Sequence, residues 1–286
     1  MKKIIYIMGA GRSGTTVLDI ILGNADGVFS CGEVTRYPEL NGVPHDYPKT
    51  SETYRFWSDF EGMLKKKLKG TIEYQSLYAL YKKFDHHDGF ARNYFGLHSI
   101  DDQRRYQQYS VAFFDTLFEL SGKDVLVDSS KYPNRALTLS ALMPYDLYFI
   151  YLVRNPAGVA RSFQKKNVEQ PSRGWLSSSI YYFVVNAACA LVKKRLQRSF
   201  PVLLIKYEDL MTDPVGTLEK IQNTCGIALT RSIELVQEQQ PLAVGCLFDG
   251  NRLRLKKHIT LKGDDVHGPH RFKDRMTLTL NYFWWR

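Results

Sequence analysis

The sequence is poor in cysteine and lacks any paired cysteine motif. Its 286 residues include 4 cysteines, none of which stands in a CxxC spacing: Cys31, Cys189, Cys225 and Cys246. Zinc sites typically show closely spaced cysteine pairs, and disulfide frameworks show many cysteines in a short chain, so this sequence indicates neither of them. We therefore expect a protein whose cysteines stay reduced.

Long hydrophobic runs are also missing. The chain passes from Lys2 and Lys3 through a short apolar run into a glycine turn, which is unlike a signal peptide. The most apolar later stretch, residues 180–192, is interrupted by Asn186 and is shorter than the roughly 20 residues that a membrane span needs. These absences predict a cytoplasmic protein without a transmembrane segment, and they leave peripheral membrane contact open.

Composition and charge are those of a globular protein with anionic partners. Hydrophobic residues make up 44% and charged residues 24% of the chain, and the formal net charge is +10. This charge favours anionic partners, namely nucleic acid, acidic lipid, or a polyanionic cofactor or substrate, and the basic residues are not gathered into one arm. Among these we expect the cofactor or substrate and no nucleic acid. The length suits one α/β domain, and the sequence leaves the oligomeric state open.

Strand and helix patterns alternate along the chain. Short apolar runs at residues 3–8, 125–127, 147–153 and 201–205 predict strands, with helical periodicity between them. This alternation predicts a single α/β domain, a central parallel sheet flanked by helices. Residues 45–122 read as a helical insertion, and the chain from Pro241 onward reads as loop.

A glycine-rich loop separates the first predicted strand from the first helix. It contains Gly9, Ala10, Gly11, Arg12, Ser13, Gly14, Thr15 and Thr16. Such a loop turns successive backbone N–H groups inward at a helix N-terminus, which makes a cradle for phosphate. The glycine spacing is that of a nucleoside triphosphatase loop, but Thr15 stands where those proteins place lysine. The loop therefore indicates a ligand with one phosphate at this place.

Two further segments carry groups suited to an anion. Arg154 follows the third predicted strand, and Ser162 lies eight residues later, in the next helix. Two turns of helix bring such a hydroxyl and guanidinium near one anion. Residues 250–257 then alternate basic and apolar side chains, and this segment, within a loop at about 245–275, is suited to clasping a phosphate.

Together these segments resemble the sulfotransferases that use 3′-phosphoadenosine 5′-phosphosulfate (PAPS). Residues 11–16, GRSGTT, are similar to the 5′-phosphosulfate loop of that family, and residues 151–163 to its 3′-phosphate motif. Residues 250–257, GNRLRLKK, resemble the C-terminal GNPxRxR segment of bacterial members without its proline. The resemblance implies a P-loop-like fold and PAPS as sulfuryl donor, with no metal. The donor contacts that it implies are Gly11, Arg12, Ser13, Gly14, Thr15, Thr16, Arg154, Ser162, Tyr207, Asn251, Arg252 and Arg254.

The same resemblance implies which residues perform the chemistry. Glu33, in the segment Ser30-Cys31-Gly32-Glu33, is similar to the general base of protein-tyrosine sulfotransferases and their bacterial relatives. Lys131 corresponds to a lysine that stabilises the transferring group, and the resemblance gives Arg12 the same role. The implied acceptor is a hydroxyl group of a glycan, a glycolipid or a small metabolite.

Two other classes of function remain open. A P-loop kinase using ATP would explain the glycine spacing, with Asp128 at the end of a strand as its second motif, but it lacks the loop lysine. A non-enzymatic protein that binds anions or polysaccharides would explain the charge. The aromatic tail, residues 282–286, could pack on the core, contact a partner or touch a membrane surface, and packing is favoured.

Overall fold

The computed structural model describes residues 2–164, 174–261 and 272–285. Within these ranges five parallel strands form one sheet, in the order β2-β3-β1-β4-β5. The strands are β1 (Lys3–Gly9), β2 (Val28–Gly32), β3 (Val125–Lys131), β4 (Asp146–Val153) and β5 (Val202–Lys206). The predicted parallel sheet is thus confirmed, with one strand, β2, that the sequence reading missed.

Helices cover both faces of this sheet. The N-terminal half contributes α1 (Thr15–Gly23), α2 (Glu52–Lys67), α3 (Tyr74–Phe84), α4 (Phe90–Tyr94), α5 (Ile100–Ser121) and α6 (Pro133–Leu142). The C-terminal half contributes α7 (Pro156–Gln164), α8 (Trp175–Leu196), α9 (Tyr207–Thr212), α10 (Pro214–Cys225), α11 (Thr230–Gln237), α12 (Phe272–Leu280) and α13 (Tyr282–Trp285). The helices α2 to α5 fall within the residues predicted as an insertion.

The central strand β1 separates two hydrophobic cores. Ile4 and Tyr6 point into one core, whereas Ile5 and Ile7 point into the other, and all four are fully buried. Alternation along a strand sends successive side chains to opposite faces. The first core contains the aromatic side chains of the insertion, and α1, α10 and α11 pack on the second.

The chain beyond Pro241 differs from the predicted loop. Two short strands, β6 (Leu242–Ala243) and β7 (His258–Ile259), pair antiparallel, and a 3-10 turn spans Arg252–Leu255. Strands of two residues carry no periodicity that a sequence reading can detect. The part of the predicted basic loop at residues 262–271 lies outside the described residues.

The long helix α8 extends well beyond the apolar stretch 180–192. Its 22 residues are enough, by length and composition alone, to cross a membrane, and it is the one such helix in the described part of the chain. However, Tyr182, Val185 and Cys189 are buried in the first core, and α8 packs on α6 and α7. Its place in the domain is that of a core helix with one outer face.

Candidate active site

The glycine-rich loop connects β1 to α1 at the carboxyl edge of the sheet. Arg12 and Gly14 both take left-handed backbone angles, with φ of 69° and 97°, so the chain curls as a phosphate cradle requires. A Cβ atom on Gly14 would lie 2.3 Å from the ring of Tyr207, so a side chain is excluded there by sterics as well as by backbone conformation. The predicted loop therefore curls around its own backbone N–H groups, as a phosphate cradle does.

Polar groups of this loop are set up for an anion. No side chain caps the N-terminus of α1. The Ser13 hydroxyl is fully buried, and no described residue offers it a hydrogen-bond partner. Buried polar groups and uncapped helix N-termini normally find partners, so both features fit a bound phosphate. Two N–H groups of the loop already have partners, because Gly11 donates to the Tyr181 hydroxyl at 3.0 Å and Ser13 to the Ala10 carbonyl at 3.2 Å.

Arg154 lies beside the loop. It emerges at the end of β4, and its Nη1 donates to the Arg12 carbonyl oxygen at 3.2 Å. Its guanidinium stacks over the Tyr207 ring, with 4.2 Å between the guanidinium carbon and the ring centroid. The structure thus brings together four of the predicted donor contacts, Arg12, Gly14, Arg154 and Tyr207. Ser162 is half-buried in α7, and among the described contacts none joins it to Arg154.

Glu33 follows β2 directly, at the same edge of the sheet. Its carboxylate is largely buried, and Oε1 accepts a hydrogen bond from Lys131 Nζ at 2.5 Å. Lys131 ends β3 with a left-handed φ of 65°, which departs from the regular extended backbone of a strand. The predicted base and the predicted lysine are therefore an ion pair at the ends of two neighbouring strands.

A C-terminal segment joins this ion pair to the phosphate loop. The Phe248 N–H donates to the Cys31 carbonyl at 2.9 Å, and the Asn251 N–H donates to Thr16 Oγ1 at 3.4 Å. A Cβ atom placed on Gly250, where φ is 143°, would lie 3.3 Å from Thr16 Oγ1 and 3.7 Å from Glu33 Oε1. Glu33 and the first turn of α1 thus converge on Gly250.

The two arginines of this segment have different surroundings. Arg252 is exposed, whereas Arg254 is buried and pairs with the carboxylates of Asp249, at 3.1 Å, and Asp46. Asp249 also accepts from Arg36. The described contacts of Arg254 thus lie on the Glu33 side of the site, and none of them joins it to Arg154.

Asp19 holds three pieces of the site together, and the sequence reading missed it. It is fully buried in α1, and its Oδ2 accepts from the Gly32 N–H at 3.1 Å and from Ser129 Oγ at 2.6 Å. Burial raises the pKa of Asp19 to about 7. The detectable signal was a lone carboxylate within the apolar run Val17–Leu22. Asp19 fixes Gly32, the residue before Glu33, relative to the end of β3 that carries Lys131.

We expect Asp19→Asn to change how stability depends on pH. An unfolded chain releases this proton near pH 4, whereas the folded protein keeps it to about pH 7. The contribution to stability is therefore complete below pH 4 and falls as the pH rises through 7. Linkage of folding to protonation lowers the wild-type free energy of unfolding by about 2–3 kcal/mol between pH 5 and pH 8. Asparagine accepts the same hydrogen bonds without titrating.

Urea unfolding at pH 5 and pH 8 measures this difference. Between pH 5 and pH 8 the free energy of unfolding should fall more steeply with pH in the wild type than in Asp19→Asn. Asp26→Asn changes an exposed carboxylate and serves as control, with a slope like that of the wild type. Equal slopes for Asp19→Asn and the wild type would contradict the assignment.

A second buried network connects the insertion to β3. Arg135 Nε donates to Asp128 at 2.8 Å and its Nη1 to Asp85 at 2.7 Å, and Tyr106 donates to Asp85 at 2.7 Å. The side chains of Arg135 and both aspartates are almost completely inaccessible to solvent. Asp128 also accepts the Ser130 N–H at 2.9 Å, one residue before Lys131. The network therefore fixes the strand end that carries the lysine.

His86 packs on Tyr132, next to the end of β3. Their rings stack with centroids 4.8 Å apart, and Tyr132 follows Lys131 in the chain. Burial raises the pKa of Tyr132, and the charge of Glu33 adds to the rise, so that hydroxyl stays protonated near the carboxylate. The sequence reading gave neither residue a role, because their ring stacking joins positions 46 residues apart, for which no local pattern exists.

Comparisons with known proteins identify a family and similar folds. The family model described as "Sulfotransferase family" matches residues 5–231. The fold is similar to that of the sulfotransferase domain from the curacin biosynthetic pathway, with a TM-score of 0.56, 18% identity, and coverage of 98% of this chain and 97% of that one. A sulfotransferase from Mycobacterium avium has a TM-score of 0.51 and 12% identity, with coverage of 99% of this chain and 76% of that one. The comparison with curated protein sequences finds no significant match.

Proposed function

The chain belongs to the sulfotransferase family, and from this premise we propose that it transfers a sulfuryl group from PAPS to a hydroxyl group, with Glu33 as general base. The observation that carries the proposal is the convergence of Glu33 and Thr16 on Gly250. It sets a buried carboxylate, already held by a lysine, against the first turn of the phosphate-loop helix. A proton acceptor and an anion site are then neighbours, as transfer to a hydroxyl requires.

The donor fits the residues on the two sides of the loop. The uncapped start of α1 and the Ser13 hydroxyl would hold its 5′-phosphate, and Arg154 would hold its 3′-phosphate. Tyr207 would keep the Arg154 guanidinium in place by stacking. When bound, the donor supplies a sulfuryl group activated by its phosphate leaving group.

The residues at the ends of β2 and β3 would then handle proton and charge. Glu33 would take the proton of the acceptor hydroxyl at its carboxylate. The Lys131 ammonium, 2.5 Å from Glu33 Oε1, would stabilise the negative charge that develops during transfer, together with Arg12. The hydrogen bond between Glu33 and Lys131 fixes both side chains, which favours charge stabilisation by a preorganised site.

The rival kinase function is opposed by the surroundings of Asp128. In a P-loop kinase the carboxylate at this strand end would turn to magnesium. Here Arg135 and the Ser130 N–H engage Asp128 in the interior. Thr15 also leaves the loop without the lysine that grips a triphosphate. A protein that only binds anions does not require a buried carboxylate beside the loop, and the Glu33–Lys131 pair supplies one.

Isothermal titration separates these functions. We expect tight binding of adenosine 3′,5′-bisphosphate and weak binding of ATP with magnesium; tight binding of ATP alone would refute the proposal. Transfer itself is tested by a screen of hydroxylated acceptors with isotopically labelled donor, read by mass shift. We place the acceptor among glycans, glycolipids and small metabolites, and the reaction in the cytoplasm.

We expect Arg154→Ala to weaken binding of adenosine 3′,5′-bisphosphate by about 10–100-fold, because a hydrogen bond to a charged group contributes about 1.5–3 kcal/mol. Adenosine 5′-phosphate lacks the 3′-phosphate and is the matched ligand. Its affinity should change by less than about threefold in the same variant. Equal losses for both ligands would show that Arg154 supports the loop and does not contact the 3′-phosphate.

A further inference from the structure

The outer face of α8 is an exposed apolar stripe. Five large side chains share this face at helical spacing, and all are exposed: Leu176, Ile180, Phe183, Val184 and Leu191. The opposite face of the same helix carries Tyr182, Val185 and Cys189, which are buried in the first core. A helix with an apolar outer face is unusual on a protein surface and indicates a partner for that face.

Basic residues continue this stripe at the C-terminal end of α8. Lys194, Arg195 and Arg198 lie at positions that follow Leu191 at helical spacing, and all three are exposed. Between Glu169 and Glu208 the sequence contains no acidic residue. Among the residues that the structure describes, no carboxylate pairs with Lys193 or Lys194. The stripe therefore ends in a region of uncompensated positive charge.

The C-terminal aromatic residues lie against the same part of α8. Trp284 packs on Phe183 with ring centroids 5.6 Å apart, which confirms packing for this residue of the tail. Its neighbour Phe283 instead points outward and is 85% exposed. Lys193, Lys194, Phe283 and Trp284 line one open cavity of about 270 Å³, together with Lys206 of β5.

We propose that this basic-apolar face, formed by the outer side of α8 and by Phe283, docks on the surface of an anionic lipid bilayer. Apolar and aromatic side chains enter the boundary between headgroups and acyl chains, while lysines bind the anionic headgroups. Because the other side of α8 is built into the core, the helix lies on the bilayer and does not span it. This inference is independent of the reaction that the site performs.

The charge of the face selects the bilayer over a second copy of the chain. In a twofold dimer the same patch meets itself, so Lys193, Lys194, Arg195 and Arg198 would be buried against a patch that is apolar or basic throughout. No acidic residue between positions 169 and 208 could pair with these cations. An anionic membrane supplies the complementary charge over an area of any size.

Sedimentation with lipid vesicles tests the proposal on the full chain. We expect binding to vesicles of phosphatidylcholine with 30 mol% phosphatidylglycerol, and at least tenfold weaker binding to phosphatidylcholine alone. Lys193→Gln with Lys194→Gln should lower partitioning onto anionic vesicles about 30-fold, since each lysine near such a surface contributes about fivefold. Phe283→Ser should lower it about tenfold.

A matched double variant controls for total charge. Lys66→Gln with Lys69→Gln removes two exposed lysines at the end of α2 and should leave partitioning within about twofold of the wild type. Urea unfolding of each variant, with a midpoint close to that of the wild type, shows that it is folded. Three results would overturn the proposal: equal binding to neutral and anionic vesicles, equal losses in the two lysine pairs, or a stable dimer that Phe283→Ser dissociates.

Discussion

Glutamine in place of Glu33 is expected to lower kcat by about 10²–10⁴-fold, the range for one proton-transfer residue. Glutamine has nearly the same shape and still accepts the hydrogen bond from Lys131, so the site should keep its form. The Kd of adenosine 3′,5′-bisphosphate should therefore stay within about twofold. Rates of sulfuryl transfer and titration of the bisphosphate measure the two effects separately.

The control for this variant is Glu119→Gln. Glu119 lies on α5, is exposed and pairs with Lys67, so its loss should leave both kcat and Kd unchanged. If Glu33→Gln weakens donor binding as much as it slows turnover, Glu33 is a structural acceptor and not the base. Full activity in Glu33→Gln would remove the carboxylate from the chemistry altogether.

Methionine in place of Arg135 is expected to destabilise the fold by about 3–5 kcal/mol, the largest effect on stability that we foresee. The change leaves Asp85 and Asp128 in the interior without their cation, and an uncompensated buried charge is costly. Burial already raises the pKa of Asp85 to about 6. Urea unfolding at pH 7 should show a lower midpoint at an unchanged m-value.

A neutral network separates lost charge from lost packing. Combining Arg135→Met with Asp85→Asn and Asp128→Asn removes all three charges and should recover at least half of the lost stability. Arg104→Met breaks an exposed pair with Asp101 and should cost less than about 0.5 kcal/mol. Similar losses for Arg135→Met and Arg104→Met would show that the buried network contributes little.

The sheet and the phosphate loop were predictable because their signals are local. An apolar run, a glycine turn and an amphipathic helix follow one another within residues 3–22. This local pattern predicts a strand, a turn and a helix in that order. The third and fourth predicted strands are correct within one residue at each end. Arg154 and Glu33 come to the same edge because parallel strands end there.

What the sequence could not supply are partners far apart in the chain. Asp19 meets Gly32 and Ser129, and Asp85 meets Arg135, through pairings that no spacing encodes. Strand β2 is short and polar at its end, VFSCG, so it carries little strand signal. The basic pattern of residues 250–257 likewise does not reveal that Arg254 turns inward to Asp249.

The bonds from Phe248 and Asn251 to the first 31 residues of the chain have a consequence for biosynthesis. Strand β2, which leads directly to Glu33, has its neighbour only once β3 is made, about 100 residues later, and the stretch that closes over Glu33 is translated more than 200 residues after it. Until that stretch leaves the ribosome, the carboxylate lacks its cover. The site is therefore complete only after residues 248–251 have been translated.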